Sequence, residues 1–378
     1  MVHISATTAR VQALDDFVNS DLKATRKEYL FDTPVLTQKS LPLLRDERDL
    51  PMVSLQLNIL QLVIPGVSML FYINTQVPGL SLLWRNVAGL VYLATLEVFF
   101  LERFILMMHF AAHRSIYKTN ALNEAITWVF APFFGIPCGL YKLHHVVMHH
   151  IENNHKLDIS STEPYQRDSL WHFFQYWFRF TVLIWVELPY YAFRTKRWDW
   201  FRQTVFGLVL WCVIIFMLYN YVSGCATAWV FIVPHYVAIT AMSFGNWSQH
   251  IFVNPAKPAS NFGLTYNCID APGNQTTWND GYHVIHHLNA RLHWSELPRY
   301  FHENRQKHLE NGALTFRNIH FFDVGLLVMS GQLHKLVEKH YVHLGPKESA
   351  PTTEDMVKTL KSWLVPISME DVKNSKSD

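Results

Sequence analysis

Histidines fall in four clusters whose spacing is that of metal ligands. The first is His109-Phe-Ala-Ala-His113. The second is His144-His145-Val-Val-Met-His149-His150. The third is Asn246-Trp-Ser-Gln-His250, and the fourth is Tyr282-His283-Val-Ile-His286-His287. Residues three or four apart share a helix face. His109 and His113 therefore point one way, His283, His286 and His287 form a second face, and His145 and His149 form a third with His150 beside them. With His250, convergence of these faces brings nine imidazoles to one site, enough for two metals with four or five nitrogen ligands each. Imidazole suits iron, zinc, copper and nickel. His144 is five residues from His149 and falls off that face, and His155 and His293 are expected to support ligands rather than to be ligands. His172, His235 and His320 read as packed, hydrogen-bonded core residues. His302, His308, His334, His340 and His343 lie in the polar C-terminal third and are expected to be solvated.

The elements that carry these clusters are apolar. The chain has 378 residues, 50% hydrophobic and only 16% charged, against about 25% charged in ordinary soluble domains. Its 32 basic and 30 acidic residues nearly cancel, which excludes a strongly basic nucleic-acid binder. Cys138, Cys212, Cys225 and Cys268 form no CxxC pair, so neither a zinc ribbon nor a disulfide scaffold is indicated. Residues 52–84 and 203–256 contain no Asp, Glu, Lys or Arg, and a spanning helix needs about 20 apolar residues. The expected spans lie near 52–73, 80–101, 203–222 and 226–247, in two hairpins. Arg85 is expected to snorkel outward, and Glu97 to be costly within its span unless partnered. Residues 125–141, interrupted by Pro132 and Pro137, suit a re-entrant or interfacial segment. Residues 170–194 include His172, Arg179 and Glu187 and are placed at the interface.

Orientation follows from basic residues. Seven Lys/Arg lie in residues 1–51, more lie in 104–202, and the hairpin loops 74–79 and 221–227 carry none. The loops therefore face the lumen or exterior, and all four histidine clusters face the cytosol. The N-terminus lacks the apolar core of a cleavable signal peptide. The expected fold is an all-α integral membrane protein, with four transmembrane helices in two hairpins, interfacial helices and a cytosolic α-helical cap carrying a di-metal site. It divides into a cytosolic N-terminal segment (1–51), a membrane catalytic domain (52–300), and C-terminal helices with a polar tail (301–378). An amphipathic stretch is expected at 356–367.

At these boxes the sequence resembles the membrane fatty acid desaturase and hydroxylase superfamily, whose members carry boxes of the form HxxxH, Hxx(x)HH and HxxHH. His109/His113, His145/His149/His150 and His283/His286/His287 match them, and Asn246 with His250 matches a further Asn-x-x-x-His element. The resemblance spans roughly residues 50–300. It implies that these nine histidines ligate two non-haem irons and that Asn246 reaches an iron through water. It also implies that O2 is a co-substrate, that the substrate is a lipid or acyl chain, and that electrons come from a separate donor, cytochrome b5 with its reductase, since no fused His-Pro-Gly-Gly haem motif is present. The expected location is the endoplasmic reticulum, with a cytosolic active site.

Three residues precede the His pair of box two, as in alkane-hydroxylase-like members. Box three is followed by Leu-Asn-Ala-Arg-Leu-His-Trp rather than the Phe-Pro pattern of an acyl-CoA desaturase. The expected reaction is introduction of a carbon–carbon double bond into a long acyl chain or acyl lipid. Hydroxylation, epoxidation or acetylenation of a lipid or secondary-metabolite chain stays open. All-histidine ligation differs from the Glu-x-x-His pairs of soluble di-iron bundles, and no HExxH zincin motif occurs. A metal transporter would place ligands inside the spans near the midplane. The 203–245 hairpin contains only His235, so that class is disfavoured. Asn279 and Asp280, just before box three, are candidates to orient its ligands.

Overall fold

The computed structural model describes residues 21–22, 30–31 and 33–374. Arg10, Lys23, Arg26 and Lys27, four of the seven basic residues used for orientation, lie outside the described residues. The chain forms two compact units. The first comprises Lys27–Met148 and Thr181–Ala241, and the second comprises Met1–Arg26, His149–Phe180 and Met242–Asp378.

The first unit is built on apolar helices. Helix α1 (Leu50–Gln76) starts with proline in its first turn, where a missing N–H costs nothing. It buries Met52, Val53, Ile59 and Val63 and exposes Leu60, Met69 and Tyr72. A helix apolar on all sides belongs in a bilayer. The chain reverses at Gly79 (φ +82°) and enters α2 (Leu82–Leu96), where the Ser81 hydroxyl accepts from the Trp84 N–H. Arg85 does more than snorkel. Its guanidinium donates to the carbonyls of Asn74, Leu80 and Val77 at 2.9, 3.1 and 3.5 Å, satisfying an acceptor in the last turn of α1 and two in the turn that follows it. The helical run continues through a π-wound segment (Glu97–Leu101) into α3 (Glu102–His113). The Glu97 Oε1 atom is buried with no hydrogen-bond partner among the described residues.

Among the described residues, three helical runs are long and apolar enough to cross a membrane: Glu47–Gln76, Trp198–Tyr221 (α4) and Gly224–Gln249 (α5). They contain the expected spans near 52–73 and 226–247, and 203–222 but for its last residue. The fourth expected span, 80–101, is part of the longer run that carries Arg85, Glu97, Glu102 and Arg103. Residues 120–134 break into short α, π and 3-10 pieces that end at Gly135 (φ +73°), in keeping with a segment too interrupted to span. Gly135 is required by contact as well as conformation: an added Cβ would lie 2.2 Å from the His235 nitrogen. Helix Ile184–Arg194 packs along α4, so this part of the 170–194 segment lies beside an apolar helix.

The second unit is mostly helical, with one feature the helical reading lacked. Strands β1 (Tyr266–Ile269) and β2 (Leu314–Arg317) form a two-stranded parallel sheet, pairing Tyr266 with Leu314 and Ile269 with Arg317. β1 anchors the box-three helix α6 (His283–Leu288), because the Asn267 side chain accepts from the Val284 N–H at 3.2 Å. Arg167, 0% exposed, bolts the loop after box two to the C-terminal segment. It donates to the carbonyls of Ile251 (2.9 Å), Trp363 (2.9 Å) and Val365 (2.7 Å). The expected amphipathic stretch forms helix Thr353–Ser362, which buries Met356, Val357 and Leu360. Leu364 and Ile367 are buried beyond its end.

Candidate metal centre

The first unit brings three of the nine histidines together. His109 and His113 are one turn apart on α3 with ring centroids 5.7 Å apart. The His145 ring lies 4.2 Å from His109 and 4.9 Å from His113. His145 sits in a π-wound segment (Leu143–His149) instead of the α-helix its spacing implies. The wider π turn, frequent at functional sites, no longer superposes residues four apart. Box two is in fact divided: His145 belongs to the first unit, and His149 and His150 to the second.

The second unit gathers the other six. The rings of His149, His150 and His250 lie 5.6, 4.9 and 5.0 Å from that of His287, and His283 lies 4.9 Å from the same ring. His150 and His286 approach with their Nε2 atoms 3.0 Å apart. His149, His250 and His287 each offer a ligand atom within 4.8 Å of the others. Nitrogens bound at about 2.1 Å to one ion stand roughly 3–4 Å apart, so this trio fits a first-row metal with little closure.

The outer nitrogens fix which atoms face inward. His149 Nδ1 meets Asp158 Oδ2 at 2.6 Å, and His250 Nδ1 donates to the Leu264 carbonyl at 3.0 Å. His287 Nδ1 lies 3.2 Å from Asn153 Oδ1. Metal-bound imidazoles characteristically donate from their second nitrogen to such an acceptor. His283 differs: the Gln249 amide nitrogen, 3.3 Å from its Nδ1, can only donate to that nitrogen, and the Asp280 carboxylate stands 3.8 Å away. The Nε2 atoms of His250 and His287 are buried with no hydrogen-bond partner among the described residues. A buried polar atom left so is costly without a ligand, and this orphaned pair supports the fit of a metal. Burial first, and neighbouring imidazoles second, hold His250, His283 and His287 below the ordinary imidazole range, His283 at about 3. The rings are therefore neutral, the form that binds metal.

Asn246 donates to the Ser160 carbonyl (2.8 Å) and the Tyr176 hydroxyl (2.9 Å). Ser160 in turn donates to Asp158 through both its backbone N–H and its hydroxyl, at 2.8 and 2.6 Å. Asn246 is thus three contacts away from His149 along this path. Asp280 accepts from Gln249 at 2.6 Å, whereas Asn279 donates to the Trp294 carbonyl. His155 pairs with Glu163, and His293 caps the turn Trp294–Glu296. His172 accepts from the Gln166 N–H, and His235 bonds to the Gly135 carbonyl, as core residues do. His308 is a correction: it is 0% exposed, packed against Phe262 and Phe301 with Nδ1 on the Asn304 carbonyl.

Sequence reasoning missed Asp158, Asn153, Gln249 and the Leu264 carbonyl. Only Asp158 had a local signal, the Asp-Ile-Ser turn in which a carboxylate accepts from the N–H two residues on.

A family model described as "Fatty acid desaturase" matches residues 82–318, a stretch that contains all four histidine clusters. Neither the curated proteins nor the solved structures gave a match to this chain.

Proposed function

The chain belongs to the fatty acid desaturase family, and on that footing we propose that it is an O2-dependent di-iron lipid desaturase that introduces a carbon–carbon double bond into a long acyl chain or acyl lipid. Family membership carries a lipid-modifying oxidoreductase activity, and three helices of spanning length carry a membrane location. The observation that favours the di-iron reading is the orphaned, buried Nε2 pair of His250 and His287 beside His149. We assign His109, His113, His145, His149, His150, His250, His283, His286 and His287 as the ligands, with Asn246 acting through water.

Bound iron supplies oxygen activation and hydrogen removal from an unactivated methylene, which no amino-acid side chain performs. The protein's part is orientation. The Asp158 carboxylate, the Asn153 side-chain oxygen and the Leu264 carbonyl each accept at an Nδ1. Each contact keeps that ring's proton on Nδ1 and turns a neutral Nε2 inward. Ser160 and Asn246 hold Asp158 in place in turn. The electron donor in this reading is cytochrome b5 with its reductase, at the cytosolic face of the endoplasmic reticulum.

The spacing of box two and the Leu-Asn-Ala-Arg-Leu-His-Trp run after box three favour a second reading, a hydroxylase, epoxidase or acetylenase on the same scaffold. Expression in a host lacking competing desaturases, fed labelled fatty acids, separates the two by mass spectrometry. New unsaturated products that vanish in His286→Ala support the first reading, and hydroxylated products alone transfer the assignment to the second.

A further inference from the structure

Three donors converge on one oxygen at the base of box three. Asp21 Oδ2 accepts from the backbone N–H of Asp270 at 2.9 Å, from the Asn274 amide at 3.4 Å and from the Tyr282 hydroxyl. All four residues belong to the second unit. Asp21 nevertheless precedes the groups it meets by 249, 253 and 261 residues.

Two of these donors sit at the anchors of the box-three helix. Asp270 is the first residue beyond β1, and its φ of +50° is a left-handed conformation that costs an L residue. β1 itself carries Asn267, whose side chain accepts from the Val284 N–H inside α6. Tyr282 immediately precedes α6, and its carbonyl accepts from the N–H groups of Ile285 and His286 at 3.1 and 3.2 Å. Its side chain is buried and packs against Phe301. Asn274 also donates to the Cys268 carbonyl at 3.1 Å, and the Cys268 N–H donates to the Gly281 carbonyl at 2.6 Å. The loop from Asp270 to Tyr282 thus closes on itself, and Asp21 ties both of its ends to one atom.

Helix α6 has six residues. A helix that short does not hold itself in water, so its placement comes from tertiary contacts. Its imidazoles, His283, His286 and His287, therefore point where its anchors turn it. A buried hydroxyl without an acceptor is costly, and a carboxylate accepts more strongly than a neutral group. The Asp21 carboxylate gives the buried Tyr282 hydroxyl that acceptor. We propose that Asp21 is a positioning residue for box three: its carboxylate clasps Tyr282 and the end of β1, and so fixes the direction in which His283, His286 and His287 present their rings. The consequence for metal rests on the reading of these histidines as ligands, whereas the clasp itself does not.

Hydrogen exchange of the full chain in lipid nanodiscs, read by mass spectrometry on metal-free protein, tests the clasp. Asp21→Ala should speed exchange across α6 by on the order of tenfold, the worth of one hydrogen bond to a charged group, and leave α3 unchanged. Tyr282→Phe, which keeps a ring against Phe301, should do the same. Asp21→Asn, whose amide oxygen still accepts, should restore most of the protection. Cobalt(II) absorption then reports the ligands. At saturating cobalt, Asp21→Ala should shift the d–d bands, and Asp21→Asn should return them to those of the parent chain. Unchanged exchange in Asp21→Ala, an increase spread equally over α3 and α6, or parent-like bands in Asp21→Ala would overturn the proposal. A parent chain that binds no cobalt would instead sink the reading of the histidines as ligands, and the exchange data would still decide the clasp.

Discussion

His149 Nδ1 and Asp158 Oδ2 lie 2.6 Å apart, and neither side chain is more than 3% exposed. A buried carboxylate at that distance holds the imidazole in one tautomer and one rotation. Asp158 is itself held by the N–H and hydroxyl of Ser160, so the orientation of His149 is set by a short loop after box two rather than by its own helix.

Replacing Asp158 with Asn should therefore weaken metal binding by roughly 10–100-fold while leaving all nine histidines in place. Metal retained after dialysis against graded chelator measures this. Retention equal to that of the parent chain would show that the carboxylate does not support a ligand.

Purified protein is expected to hold about two irons per chain, the number nine imidazoles can satisfy. His113→Ala, His149→Ala and His286→Ala should each abolish product formation and lower the metal content. His320, packed against Phe321 and Phe322, is the control, and His320→Ala should change neither. Elemental analysis alongside product assay gives both readouts, and full activity in the His286 variant would remove that residue from the ligand set.

Asp270 predicts a pH effect on stability. Both its carboxylate oxygens are buried with no hydrogen-bond partner among the described residues, and the Asp21 carboxylate accepts from its backbone N–H at 2.9 Å. Burial, then the Asp21 charge, push the Asp270 pKa up to about 7, against a smaller lowering by Arg317. The folded pKa exceeds the unfolded one, so folding takes up a proton. The contribution of Asp270 is then fully present below about pH 4 and is lost as pH rises through about 7. Thermal unfolding in detergent should show the parent losing stability between about pH 5 and about pH 8 more steeply than Asp270→Asn. Parallel slopes would count against it.

The orientation prediction needs an engineered reporter. Asn274-Gln-Thr is a glycosylation sequon by pattern, but Asn274 is 0% exposed and donates to the Cys268 carbonyl. Burial alone keeps it unmodified. A sequon inserted in the 221–227 turn should be glycosylated in microsomes, and one added at the C-terminus should not. The reverse pattern would invert the topology.

Much of the site is legible in the sequence, because metal ligands on a helix repeat at three or four residues and spans are long uncharged runs. Those are local periodicities, and they singled out the nine candidate histidines and the three helices that, among the described residues, are long and apolar enough to span. The supports of the ligands are not periodic. The Leu264 carbonyl is 14 residues from His250, Asn153 is 134 from His287, and Asn267 caps a helix 17 residues away. A backbone carbonyl or an Asn side chain carries no sign of which ring it will meet.

His308 shows the same limit from the other side. It sits in a polar stretch, yet Phe262 and Phe301 close over it. Likewise β1 and β2 are four residues each and far apart in the chain, too short to announce a sheet. The sequence by itself determined which residues are chemically equipped to bind metal and which helices are apolar enough for a membrane. Only the tertiary structure decided which nitrogen each ring presents and which polar atoms remain unsatisfied, because those depend on contacts between segments that sequence spacing does not encode.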